Sequence, residues 1–188
     1  MKLNKSIVWS LVLLIVVGSI YRVIPNRPWG FTPQLAMALF AGAMIKDKKW
    51  AFALPLFSMF LSDLLYQALY LNGLSEIPGF YKGQWTNYLL FAGVTCVGFA
   101  MKKVTAAGIF LYSLLAPTLY FLVSNFLVWA NGGGLHRPKT WTGLLMGYTD
   151  ALPFYRGTLL GTIVFSMILF GGYFLLNRPQ TQPENRLA

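Results

Sequence analysis

Apolar residues fall into six runs along the chain, separated by short polar connections. Their length and composition predict helices at about 6–24, 34–45, 50–71, 87–101, 105–130 and 154–176. A bilayer span takes roughly 20 residues, so the second and fourth runs are short for one. Pro25, Pro28 and Pro33 keep the first connection out of helix. Part of that connection is expected to dip into the interior, where neighbours can satisfy its backbone. Pro117 predicts a kink in the fifth helix. The longest connection, about 131–153, carries Gly132, Gly133 and Gly134 and predicts one surface helix near Thr140 to Tyr148. The reading is a single domain over 1–176, followed by a polar tail, 177–188, whose Pro179 and Pro183 predict disorder.

Composition places this pattern in the membrane class. The chain has 188 residues, 56% hydrophobic and 11% charged, with mean hydropathy +0.58, too apolar for an ordinary soluble domain. The fold class expected is an all-α membrane protein with six transmembrane helices. The net charge of +10 would suggest nucleic acid in a soluble protein. Here the lysines have another pattern: Lys46, Lys48 and Lys49 follow the second run, and Lys102 and Lys103 follow the fourth. Lys2, Lys5, Arg178 and Arg186 make both ends basic. With an even number of spans these all share one side, which the bias of Lys and Arg assigns to the cytoplasm. The expectation is therefore a multi-pass protein of the cytoplasmic (inner) membrane with both termini inside, no nucleic-acid partner, and contact with anionic lipids. Lys2 and Lys5 before Ile7 to Ile20 resemble a signal peptide, but the run continues into Tyr21, Arg22 and Val23 and is read as a retained first helix.

That orientation gathers the remaining polar residues under the outer face. Asp63 is the only acid within a predicted span, and a charge at that depth must be paired or face water. It is read either as an ion pair with Arg22 or Arg156, or as the wall of an outward pocket, with Gln67 one turn further out on the same face. Arg22, Arg27, Lys82, Arg137, Lys139 and Arg156 outnumber Asp63, Glu76 and Asp150 on that side. The surplus would suit an anionic substrate group or snorkel to lipid phosphates. Asn26, Asn87, Tyr88, Asn125 and Trp129 fall at the same level. They read as pocket residues for a flat ring system, or as an interfacial aromatic belt and helix-to-helix hydrogen bonds. Ala38 and Gly42 have small-xxx-small spacing, for internal packing or for docking a partner subunit. The lone cysteine, Cys96, excludes an intrachain disulfide and is read as a buried hydrophobe, with a soft metal ligand as the alternative.

Several ordered segments carry a family resemblance. They are Arg22-Val-Ile-Pro25-Asn26-Arg27-Pro28, Phe31-Thr-Pro33, Ala36 to Ala43, Leu54-Pro55, Ser62-Asp63, Ser124-Asn125-Phe126 with Trp129, and Pro153-Phe154-Tyr155-Arg156-Gly157-Thr158 to Gly161. From about Arg22 to Gly171 the chain resembles an uncharacterised group of bacterial putative transport proteins. That group is related to the substrate-binding S components of energy-coupling-factor (ECF) vitamin transporters. The resemblance implies a six-helix S-component bundle with a vitamin pocket under lid-like outer loops. It also implies docking, through small residues of the Ala38–Gly42 kind, on a membrane scaffold driven by two ATPases. Some relatives act alone and use a cysteine at cobalt, for which Cys96 would be the only candidate.

The function expected is substrate binding for uptake of a vitamin or similar small organic molecule, without catalysis and without a resident cofactor. No Gly-x-x-x-x-Gly-Lys-Ser/Thr motif is present, so ATP hydrolysis would belong to partners. A non-catalytic scaffold or accessory subunit of a membrane complex is the alternative. An intramembrane enzyme is a third class: His136 is the only histidine, and Gly73-Leu-Ser75 has no helix-borne base beside it.

Overall fold

The computed structural model describes residues 5–177. It contains six helices: α1 (Lys5–Val23), α2 (Gln34–Met44), α3 (Lys48–Leu71), α4 (Gln84–Phe99), α5 (Ala106–Ala130) and α6 (Trp141–Leu176). There are no strands among the described residues. Of the tail expected at 177–188, all but Asn177 lies outside them.

The first five helices fall near their expected bounds, with α4 opening three residues earlier, at Gln84 instead of Asn87. The sixth differs more. The surface helix expected near Thr140 and the helix expected from Phe154 are one continuous element of 36 residues, with Pro153 inside it. Thr140 caps it, accepting from Gly143 N at 3.2 Å. Asp47 and Thr105 cap α3 and α5 in the same way.

The helices alternate in direction. Ser19 of α1 bonds the Ser58 carbonyl of α3 at 2.9 Å and Arg22 reaches Asp63 one turn on, so α1 and α3 run parallel. Lys48 Nζ lies 5.8 Å from the Phe99 ring centroid, while Gln84 donates to Asp63, so α3 and α4 run antiparallel. Tyr148 reaches the Leu122 carbonyl, and Tyr155 meets Thr118, which sets α5 and α6 antiparallel.

α2 is the central post. Its 11 residues make a rod of roughly 16 Å, and nine of them, Gln34 to Gly42, are buried. Small side chains allow this. A Cβ on Gly42 would lie 2.2 Å from the Thr95 carbonyl oxygen and 2.9 Å from the Gly98 Cα, so α2 and α4 meet backbone to backbone. Ala38 is wholly buried. The Ala38–Gly42 pair thus packs within the bundle, against α4.

The outer faces are apolar. α5 buries only Ser113, Ala116 and Pro117, while Phe110, Leu111, Leu115, Leu119, Leu122 and Val123 are exposed along it. A water-soluble bundle would turn these the other way. α3, α5 and α6 are each long and apolar enough to cross a membrane. Cys96 stands exposed on the surface of α4, so it is not the buried hydrophobe its apolar neighbours suggest.

Candidate functional site: a carboxylate clamp and an aromatic cleft

Asp63 sits at the meeting point of three helices, 1% exposed. Its Oδ1 accepts from Arg22 Nη1 of α1 at 2.5 Å. Its Oδ2 accepts from the Tyr88 hydroxyl of α4 at 2.6 Å and from Gln84 Nε2. Arg22 Nη1 also donates to Ser62 Oγ at 2.6 Å, and its guanidinium lies 5.6 Å from the Tyr66 ring centroid. A buried carboxylate needs both a counter-charge and hydrogen bonds, and this one has three partner groups, Arg22, Gln84 and Tyr88. Arg22 is therefore the partner of Asp63; Arg156 is exposed, and its side chain makes no hydrogen bond or ion pair with the described residues.

A second layer braces the clamp. The Arg22 carbonyl accepts from the Tyr66 hydroxyl at 2.8 Å and from Arg27 Nε at 2.9 Å. Gln67 Oε1 accepts from Gly79 N and Phe80 N at 3.2 and 3.3 Å, stapling the 72–83 connection to α3. Asn87 donates to the Tyr81 hydroxyl in the same corner. Burial beside Asp63 pushes the Tyr81 phenol above its ordinary pKa, with Arg22 opposing.

Asn125 and Trp129 belong to a different place. The C-terminal half of α5, the N-terminal half of α6 and the glycine-rich connection enclose a cleft of about 300 Å³ lined by Asn125, Trp129, Leu135, Arg137, Asp150 and Phe154. A second cleft of about 160 Å³ continues it, sharing Asn125, Ala151 and Phe154 and reaching Tyr120 and Tyr155. The walls are mostly apolar. Arg137 holds Asp150 through Nε and Nη2 at 2.8 and 3.0 Å, a two-point geometry that raises the Arg137 pKa further. Asn125 Nδ2 donates to the Phe121 carbonyl at 2.8 Å, which leaves its Oδ1 as an acceptor in the cleft. Trp129 Nε1 donates to the Pro138 carbonyl at 2.9 Å, and Lys139 donates to the Trp129 carbonyl, folding the connection over the helix ends.

The first connection seats on α6. Trp29 stacks on Phe154 with ring centroids 5.0 Å apart, and a Cβ on Gly157 would lie 1.8 Å from the Trp29 carbonyl oxygen. Asn26, at φ 59°, makes the turn in this connection and is exposed.

The sequence-derived candidates thus divide. Arg22, Asp63 and Tyr88 converge in the clamp, with Gln67 and Asn87 bracing its rim. Asn125 and Trp129 line the cleft, while Asn26 and Arg156 join neither. The basic residues expected to be in surplus on the outer side are largely paired within the protein: Arg22 and Arg137 with carboxylates, Arg27 and Lys139 with backbone carbonyls. Gln84 was missed because it lies at the boundary of an apolar run, where glutamine ordinarily reads as a solvated helix start. Asp150 and Arg137 were counted only as charges; nothing in their 13-residue separation marks them as partners. Among the described residues no three His, Cys, Asp or Glu side chains cluster as metal ligands.

An all-helical bundle of membrane character with a clamp and a cleft at one end is the class these features define. Over residues 2–184 the chain matches the family described as "Family of unknown function (DUF6580)", and it belongs to that family. No curated protein and no solved structure matches it.

Proposed function

We propose that this protein is a six-span protein of the bacterial cytoplasmic membrane, with both termini inside, that binds a small organic molecule from outside for uptake. The alternation of helix directions and the lysines of the 45–49 and 100–104 turns support the orientation. The observation that carries the binding role is the α5–α6 cleft. It reaches the size of a small-ligand site, combines aromatic walls with a few fixed polar groups, and lies beneath a glycine-rich connection. Phe154, Trp129 and Tyr155 would hold a planar apolar body. Asn125 Oδ1 would accept from a ring N–H or hydroxyl, and Arg137 would meet a carboxylate or phosphate by exchanging Asp150 for it.

Asp63 has a different role in this reading. Both its oxygens already accept from protein donors, so it ties α1, α3 and α4 together and sets the frame from which α5 and α6 close. The uptake step would be driven by a partner ATPase module or proceed without one.

Native mass spectrometry of the full-length protein in mild detergent tests the reading, together with thermal shifts across a panel of vitamins and related heterocyclic acids. A stoichiometric ligand whose binding falls in Asn125→Leu and Arg137→Met supports it. An empty protein with no shift across the panel, or a ligand that both variants retain, sinks it and favours the accessory-subunit alternative.

A further inference from the structure

We propose that an anionic glycerophospholipid binds between α3 and α4, with its headgroup on Lys46, Lys48 and Lys49 and one acyl chain lying along α3. This rests on the membrane reading of the chain and not on the uptake reading.

A groove of about 570 Å³ runs up α3 from Lys49 past Phe52, Leu56 and Phe57 to Phe60. These positions share one helical face. Phe80, Tyr81 and Trp85 form the opposite wall toward the top. Gln84 and Tyr88 also line it, but Gln84 Nε2 and the Tyr88 hydroxyl are turned to Asp63. The rise from Lys49 to Phe60 is roughly 16 Å. That is about half of a hydrocarbon core of roughly 30 Å, the depth that the acyl chains of one leaflet fill. The groove is therefore a one-leaflet channel that begins at a lysine and ends at the Trp85 level.

Its foot is charged. A second cleft of about 420 Å³ lies there, lined by Gly42, Lys46, Lys48 and Phe99 among others. The two spaces meet across the Phe52–Phe99 ring pair, set edge-on at 5.5 Å. Lys48, which packs over Phe99, lines the foot, and its neighbour Lys49 lines the groove. Asp47 is the only acid in this turn, and its Oδ1 accepts from Lys49 N at 2.9 Å as the α3 cap. Lys46 and Lys48 thus line this cleft and Lys49 the groove beside it, three exposed cations against one exposed carboxylate that lines neither space. A phosphate with net negative charge fits the foot, and the chain attached to it fits the groove. A zwitterionic lipid fits the groove equally but brings its own cation to the lysines.

The test uses the full-length protein in detergent, incubated with phosphatidylglycerol or phosphatidylcholine and read by native mass spectrometry. One phosphatidylglycerol per protein should be retained, about tenfold over phosphatidylcholine on the basis of lysine–anionic lipid attraction. The Lys46→Gln/Lys48→Gln/Lys49→Gln variant should lose that preference. Ala53→Trp, which fills the groove and changes no charge, should lose the bound lipid. Lys102→Gln/Lys103→Gln, on the neighbouring turn and outside both spaces, should keep it. Retention in Ala53→Trp at the wild-type level, or an equal loss in both lysine variants, overturns the proposal in favour of diffuse surface charge. If Ala53→Trp does not fold, Phe57→Asn puts a neutral polar group on the groove wall and serves the same comparison without changing charge. The state of the α5–α6 cleft enters none of these readouts, so failure here and failure of the uptake reading are separable.

Discussion

Gly79 approaches α3 so closely that a Cβ on it would lie 1.8 Å from the Asp63 carbonyl oxygen and 2.6 Å from the Gln67 backbone nitrogen. The residue that seats the 72–83 connection and the residue that ties three helices are therefore in backbone contact. Gly79→Ala should destabilise the protein by about 1–3 kcal/mol, as overpacking against rigid backbone does. Gly93 faces open space in α4, and Gly93→Ala should be neutral or stabilising by a few tenths to about 1 kcal/mol. Unfolding in detergent, followed by tryptophan fluorescence, ranks the two. Equal stability of both variants would show that the close approach is not maintained.

Asp63 is buried and its partner Arg22 half-buried, and removing one leaves the other without its counter-charge. Asp63→Asn should cost about 3–5 kcal/mol. Arg22→Met combined with Asp63→Asn should cost less than the sum of the single changes, because the second change removes a charge already left unpaired. A clamp predicts loss of stability first and loss of ligand only as a consequence. If Asp63→Asn unfolds like the wild type and yet binds no ligand, Asp63 belongs to the binding site instead.

Gly42 separates packing from docking. Gly42→Ala meets the Thr95 carbonyl and the Gly98 backbone, so it should lower the unfolding midpoint of the isolated protein. A docking residue would leave the isolated protein unchanged and weaken only its association with another subunit.

The orientation can be read in cells. In a Cys96→Ala background, Gly133→Cys should react with a membrane-impermeant maleimide added to intact cells, and Lys103→Cys should react only after lysis. The reverse pattern would invert the protein and remove the basis for binding from outside.

Much of the bundle follows from residue pattern. Runs of apolar residues bounded by Pro, Gly and Lys locate α1, α2, α3 and α5 to within a few residues, because chain-local propensities and breakers dominate there. Pro153 is where this fails. Proline ordinarily ends a helix, yet α6 passes through it, since Trp29 and Phe31 pack beside the next turns at Gly157 and Gly161 and tertiary contact outweighs the local cost.

The site divides along the same line. That Asp63 must have a partner is a consequence of one acid in an apolar run, and holds for any fold that buries it. That the partner is Arg22 rather than Arg156, and that Gln84 and Tyr88 complete the shell, depends on α1 and α3 running parallel at a particular register while α4 returns beside them. Such contacts join residues 21 to 41 positions apart, where no local spacing encodes them. Sequence likewise shows that Ala38 and Gly42 permit close approach, but only the assembled bundle decides that α4 makes it. Composition and periodicity set the solvent each residue needs; packing chooses which neighbour supplies it.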